Sequence, residues 1–100
     1  MKLKNYLNES CVLFDRNSTH KEREKYLDKL KGFSCFHDEP VAEKFYNDDY
    51  ECVLDARKSG IVKCAIVDPN GEEVEYDTVD SEVALKHFIE KADRLHKLSK

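Results

Sequence analysis

The sequence predicts an α+β fold: N-terminal helices, a three-stranded antiparallel meander, and a long C-terminal helix packed on the sheet. Three observations carry that reading. Residues 50–57 alternate apolar and polar, Asp68-Pro69-Asn70-Gly71 is a strong turn signal, and residues 85–95 carry an apolar stripe at helical spacing.

In chain order, Leu3, Tyr6, Leu7 and Cys11 fit one helical face and predict a short helix over 3–13. Thr19 followed by Glu22 is a capping box, opening a helix from His20 to Lys31 that Gly32 can end in the left-handed region. Asp38-Glu39-Pro40 then predicts another helix, with Asp38 as N-cap and Pro40 in the first turn. Val41, Ala42, Phe45 and Tyr46 would form its inner side, and Asn47-Asp48-Asp49 would stop it.

The strands follow. Tyr50, Cys52, Leu54 and Ala56 share one face of the first, and Lys58-Ser59-Gly60 supplies the turn after it. Ile61 to Val67 is apolar on both sides apart from Lys63, as a central strand would be. Pro69 presets the first corner of a type I turn and Gly71 takes the left-handed position of a bulged hairpin. In the third strand, Glu73 to Asp77, Val74 and Tyr76 point one way, extending the apolar face of Cys52, Leu54, Cys64 and Ile66.

The last helix supplies the cover. Asp80 or Ser81 can cap it, and Glu82 sits where a negative charge meets the positive end of the macrodipole. Leu85, Phe88, Ile89, Ala92 and Leu95 form the stripe for the sheet. Residues 38–100 thus read as an αβββα module and 1–37 as a helical segment, within a single domain of 100 residues.

With 38% charged residues and a mean hydropathy of -0.73, the chain is expected to be soluble. No run reaches the ~18 apolar residues of a membrane span, and the N-terminus lacks the apolar core of a secretory signal, so the cytoplasm is the expected location. Cys11, Cys35, Cys52 and Cys64 each abut apolar residues and read as small buried hydrophobes. Cys52 and Cys64 fall on neighbouring strands, where a disulfide is conceivable.

Charge is uneven. From Asp38 to Glu82 there are 14 acids against four bases, a local net of -10, while both flanks are mildly basic. The three glycines are each taken by a cap or turn, leaving none for a phosphate cradle. Cys35 and His37 with the other thiols and His20 lack the close pairs of a zinc site, and no third group orients a Cys–His nucleophile. The paired carboxylates lie in polar turns rather than apolar pockets. Neither a metal, a cofactor nor a catalytic constellation is expected.

The element order from Glu39 to Leu98 resembles that of the double-stranded-RNA-binding domain. Where that family carries a lysine cluster, this chain has Asp77, Thr78, Val79, Asp80, Ser81 and Glu82, so direct nucleic-acid binding is not expected. On the sheet's second face, Val53, Ile61, Ala65 and Val67 are ringed by Glu51, Asp55, Glu73, Glu75 and Asp77. The N-terminal helices are expected to lie over that face; uncovered, it has the composition of a protein-binding surface.

The functional expectation is a small non-enzymatic binding protein that engages a basic partner and inhibits it. Asp48, Asp49, Glu51, Asp55, Glu72, Glu73, Glu75, Asp77, Asp80 and Glu82 would steer the complex, with Val53, Ile61 and Val67 supplying desolvated area. In size and charge pattern the chain is similar to the small DNA-mimicking inhibitors of phages and mobile elements, which makes a nucleic-acid-binding protein one partner class. The alternative is a homodimeric structural or regulatory module, paired through a sheet edge or the apolar sheet face.

Overall fold

Alternation in the strands sets the architecture, because each strand sends every second side chain to a helix-covered side and the rest to the other. The computed structural model describes Phe14, 17–58 and 60–97. Its elements are α1 (His20–Asp28), β1 (Ser34–Cys35), β2 (Val41–Phe45), β3 (Glu51–Asp55), β4 (Val62–Val67), β5 (Glu73–Val79) and α2 (Glu82–Lys97). The five strands form one antiparallel meander in the order β1-β2-β3-β4-β5. Both helices pack on the same face of it.

The core lies between these layers. Leu27 from α1 and Leu85, Phe88 and Ala92 from α2 cluster with Ala42, Cys52, Leu54, Cys64 and Ile66 from the sheet. The capping box of α1 forms as expected, with Glu22 N–H donating to Thr19 Oγ1 and Thr19 N–H to Glu22 Oε1. Arg23, 5% exposed, donates to the carbonyls of Ser18, Ala56 and Arg57, tying α1 to the end of β3. In α2 it is Ser81 that caps, accepting from Ala84 N–H at 3.1 Å.

Four expectations are corrected. The segment 38–47 is not a helix: Val41–Phe45 is strand β2, and with β1 the sheet has five strands rather than three. Asp38 has φ 59, which is not the extended conformation of an N-cap. The register Ala42↔Leu54 and Lys44↔Cys52 shows what the helix reading omitted, a long-range partner in β3. The likeness in element order to the RNA-binding domain loses its first helix with this change.

Second, Val74 and Tyr76 do not extend the core. Tyr76 pairs with Ala65, and a register shift between Ile66 and Val67 sets Glu75 opposite Ile66 and Asp77 opposite Cys64. A slip of one residue flips a strand's side chains to the other face, and here it turns Glu75 and Asp77 to the helix side. Third, α1 packs beside α2 and does not cover the second sheet face; the helix expected over 3–13, and Cys11 with it, lies outside the described residues. Fourth, α1 is shorter than expected and ends at Asp28, after which Leu30 N–H and Phe33 N–H make tight turn bonds to Leu27 and Leu30.

The two long hairpins share one geometry. Asp68 N–H donates to Glu72 O and Gly71 N–H to Asp68 O; Tyr46 N–H donates to Tyr50 O and Asp49 N–H to Tyr46 O. Gly71 (φ 87) and Asp49 (φ 69) occupy the same left-handed position. Glycine adopts it without strain, whereas aspartate meets its Cβ there.

Candidate functional site: the open face of the sheet

Three cross-strand rows make up the face that neither α1 nor α2 covers. The central row is Glu43, Val53, Ala65 and Tyr76; on one side run Phe45, Glu51, Val67 and Glu73, and on the other Val41, Asp55, Lys63 and Thr78. Ile61 precedes β4 with the same alternation. Phe45 is 66% exposed and Tyr76 56%, large apolar surface for a face that also carries acids. Val53 and Val67 between them are half-buried.

Electrostatics on this face centre on Glu51. Burial first, then the hydrogen bond and negative charge of Glu43, push its carboxyl up to about 7. A like charge beside a carboxyl disfavours its ionisation, so the Glu43 side chain favours the protonated form of Glu51. Asp55 behaves in the opposite way. Arg57 donates Nε to Oδ1 at 3.1 Å and Nη2 to Oδ2 at 2.8 Å, and that fork holds Asp55 below the usual carboxylate range.

The acids singled out in the sequence do not form one cluster. Glu51, Asp55 and Glu73 lie on the open face with Val53, Ile61 and Val67. Asp48 and Asp49 sit in the β2–β3 hairpin, where Asp48 Oδ2 meets His96 Nδ1 at 2.8 Å. Glu72 belongs to the β4–β5 hairpin. Glu75 and Asp77 line the helix side of the β5 edge, with Glu75 bound to Lys91 at 2.7 Å. Asp80 is exposed before α2, and Glu82 accepts from Tyr26 Oη at 3.1 Å and pairs with Lys86 at 3.6 Å. Asp55, Glu75 and Glu82 are thus partly neutralised by the chain's own cations, and Asp48 is engaged by His96.

Glu43, Phe45 and Tyr76 belong to the open face and were missed. The signal for the first two is present, since Val41, Glu43 and Phe45 alternate with Ala42, Lys44 and Tyr46 directly after Pro40. Tyr76 follows only from the β4–β5 register.

The remaining reactive groups are tied into the fold. Burial, then the charge of Cys64, leads the causes that push the Cys52 thiol up to about 12; burial and then Asp77 do the same to Cys64. Cys35 is raised, again chiefly by burial, and its thiol donates to Glu24 O at 3.4 Å. None of the three is a thiolate near neutral pH. They are free thiols, with Cys52 opposite Ile66 and Cys64 opposite Leu54, two rungs out of direct register. No group of three or more His, Cys, Asp or Glu able to hold a metal occurs among the described residues.

A cavity of about 340 Å³ at the β2 end is lined by Lys31, Lys44, Tyr46, Asn47 and Asp93. Three of its polar groups satisfy one another: Lys44 Nζ and Tyr46 Oη both donate to Asp93 Oδ1, at 2.8 and 2.6 Å. Burial, then that bond, raises the Tyr46 hydroxyl far above its ordinary value, so it stays a donor. His96 stacks on Tyr50 at 4.4 Å beside this network. Together these contacts pin the C-terminal part of α2 to the β2–β3 hairpin.

Among the described residues no helix is long and apolar enough to cross a membrane. No known protein family, curated protein or solved structure matches the chain.

Proposed function

We propose that this chain is a small non-enzymatic binding protein that engages a basic partner protein through the open face of its sheet. The observation that carries the reading is one surface holding exposed Phe45 and Tyr76 beside Glu43, Glu51 and Glu73. Apolar anchors supply desolvated area and the surrounding carboxylates choose the partner's sign. Val53, Ile61 and Val67 fill the space between the anchors. Asp49, Glu72 and Asp80, at the ends of the sheet, add long-range steering that speeds encounter and fades with salt.

Nucleic-acid-binding proteins are one partner class this surface suits, because carboxylates can occupy sites built for phosphates, and a partner so occupied is inhibited. The test is capture of partners on tagged protein across a salt series, with Glu51→Lys/Glu73→Lys beside wild type. Loss of a salt-sensitive partner in the double variant supports the reading; undiminished retention overturns it. Exposure of Phe45 and Tyr76 favours a second reading, a homodimer through the same face. A dimer that persists in sedimentation at high salt would select it.

A further inference from the structure

We propose that the open edge of β5 takes up an extended, lysine- or arginine-bearing segment of a partner protein as an added strand of the sheet. This rests on the basic-partner reading above and states how part of that partner is held. The two edges of the sheet differ. β1 has two residues, but β5 has seven and, among the described residues, pairs on one side only, with β4. A long edge offers a row of backbone groups to another chain.

Which groups face outward follows from Thr78. Its N–H donates to Asp77 Oδ1 at 2.8 Å rather than into the β4 ladder, so it points away from β4. The two-residue period of antiparallel pairing puts the amide and carbonyl of Tyr76 on that same outward side. An added strand therefore pairs with Tyr76 and Thr78. Beside the edge, on the helix side, runs a groove of about 340 Å³ between Glu75 and Asp77 of β5 and Ala84, His87, Phe88 and Lys91 of α2.

Charge decides the occupant. Pairing β5 with β5 of a second copy would set Glu73, Glu75 and Asp77 against the same residues, and like charges across a ladder are destabilising. A lysine-bearing strand has the opposite balance. Its alternate residues enter the groove, their methylene stems along Ala84 and Phe88 and their ammonium groups toward Asp77. Lys91 faces the groove from α2 but is held by Glu75, and His87 is its neighbour on the same side. The incoming carbonyl replaces Asp77 at the Thr78 amide, and the released carboxylate takes the incoming lysine.

The probe is a short blocked peptide alternating lysine and threonine, compared with its fully N-methylated form and with a glutamate–threonine peptide. The expected result is binding of the lysine peptide with slowed hydrogen exchange at Tyr76 and Thr78. N-methylation weakens it by about tenfold or more, since two or more ladder bonds are lost. Thr78→Pro should do the same, because its amide is outside the β4 ladder; if that variant misfolds, the N-methylated peptide on wild type decides. Equal binding of the two lysine peptides, or no binding by either, overturns the edge proposal. Neither outcome touches the open-face reading, which stands or falls on the Glu51/Glu73 reversal.

Discussion

The two faces of this sheet are made by the same strands and differ in almost every physical respect. On the helix side Ala42, Cys52, Leu54 and Cys64 are fully buried, and Leu85 from α2 closes over them. On the other side the same strands present Glu43, Phe45, Glu51 and Val53, and a neighbouring strand presents Tyr76 at 56% exposure. One face is closed by the helices; the other sets charge and exposed aromatic area around a few packed residues, Val41 and Ala65 among them. Stability should therefore be lost from the first face and recognition from the second.

The sharpest way to break that contrast is a pair of truncations on adjacent residues of β3. Leu54→Ala removes a fully buried side chain and should cost about 3 kcal/mol in chemical denaturation. Val53→Ala, one residue away on the open face, should cost less than about 1 kcal/mol. If the two costs are equal, the open face is packed as tightly as the core and the contrast fails.

A smaller effect distinguishes the faces by pH. The Glu51 carboxyl titrates near 7 when folded against its ordinary 4.5, so between those values the folded chain holds more proton than the unfolded one. Stability is then intact below about 4.5 and declines as pH rises through that window. With solvent screening, the loss is on the order of 1 kcal/mol. Glu51→Gln should flatten this slope, and an unchanged slope in that variant would remove the Glu43–Glu51 pair from the account. By the same titration the open face gains negative charge toward neutral pH, and capture of a basic partner should strengthen in step.

The smallest effect lies in the turns. Asp49→Gly, in the hairpin that repeats the geometry of Asp68–Glu72, should raise stability by about 0.5–1 kcal/mol, because glycine accepts a φ of 69 without its Cβ penalty. A thermal melt of the single variant checks the sign.

What the sequence revealed, and what it hid, follows the range of the forces involved. β3, β4, the Asp68-Pro69-Asn70-Gly71 hairpin, the capping box of α1 and the start of α2 at Asp80 or Ser81 are set by residues within a few positions of each other, and all were legible. β2 was not. Val41, Ala42, Phe45 and Tyr46 fit a helical face as well as a strand, and the choice was made by pairing with β3. β1 is two residues long and carries no periodic signal. The face assignment of Glu75, Tyr76 and Asp77 depended on a bulge opposite Ile66 and Val67 that no local residue announces. For the candidate site, the open face inherited Glu51, Val53, Asp55, Ile61, Val67 and Glu73 from the sequence reading and lost Glu75 and Asp77 to the helix side. Glu43, Phe45 and Tyr76 could be added only once the strand pairing was known.

The central claim is that recognition belongs to the open face. Methyl-resolved NMR tests it most directly, because Val53, Ile61 and Val67 report from that face and Leu54, Val62 and Leu85 from the opposite one. On titration with a basic partner retained at low salt, the first three methyl sets should shift and broaden while the second three stay in place. Movement confined to Leu54, Val62 and Leu85 would contradict the account.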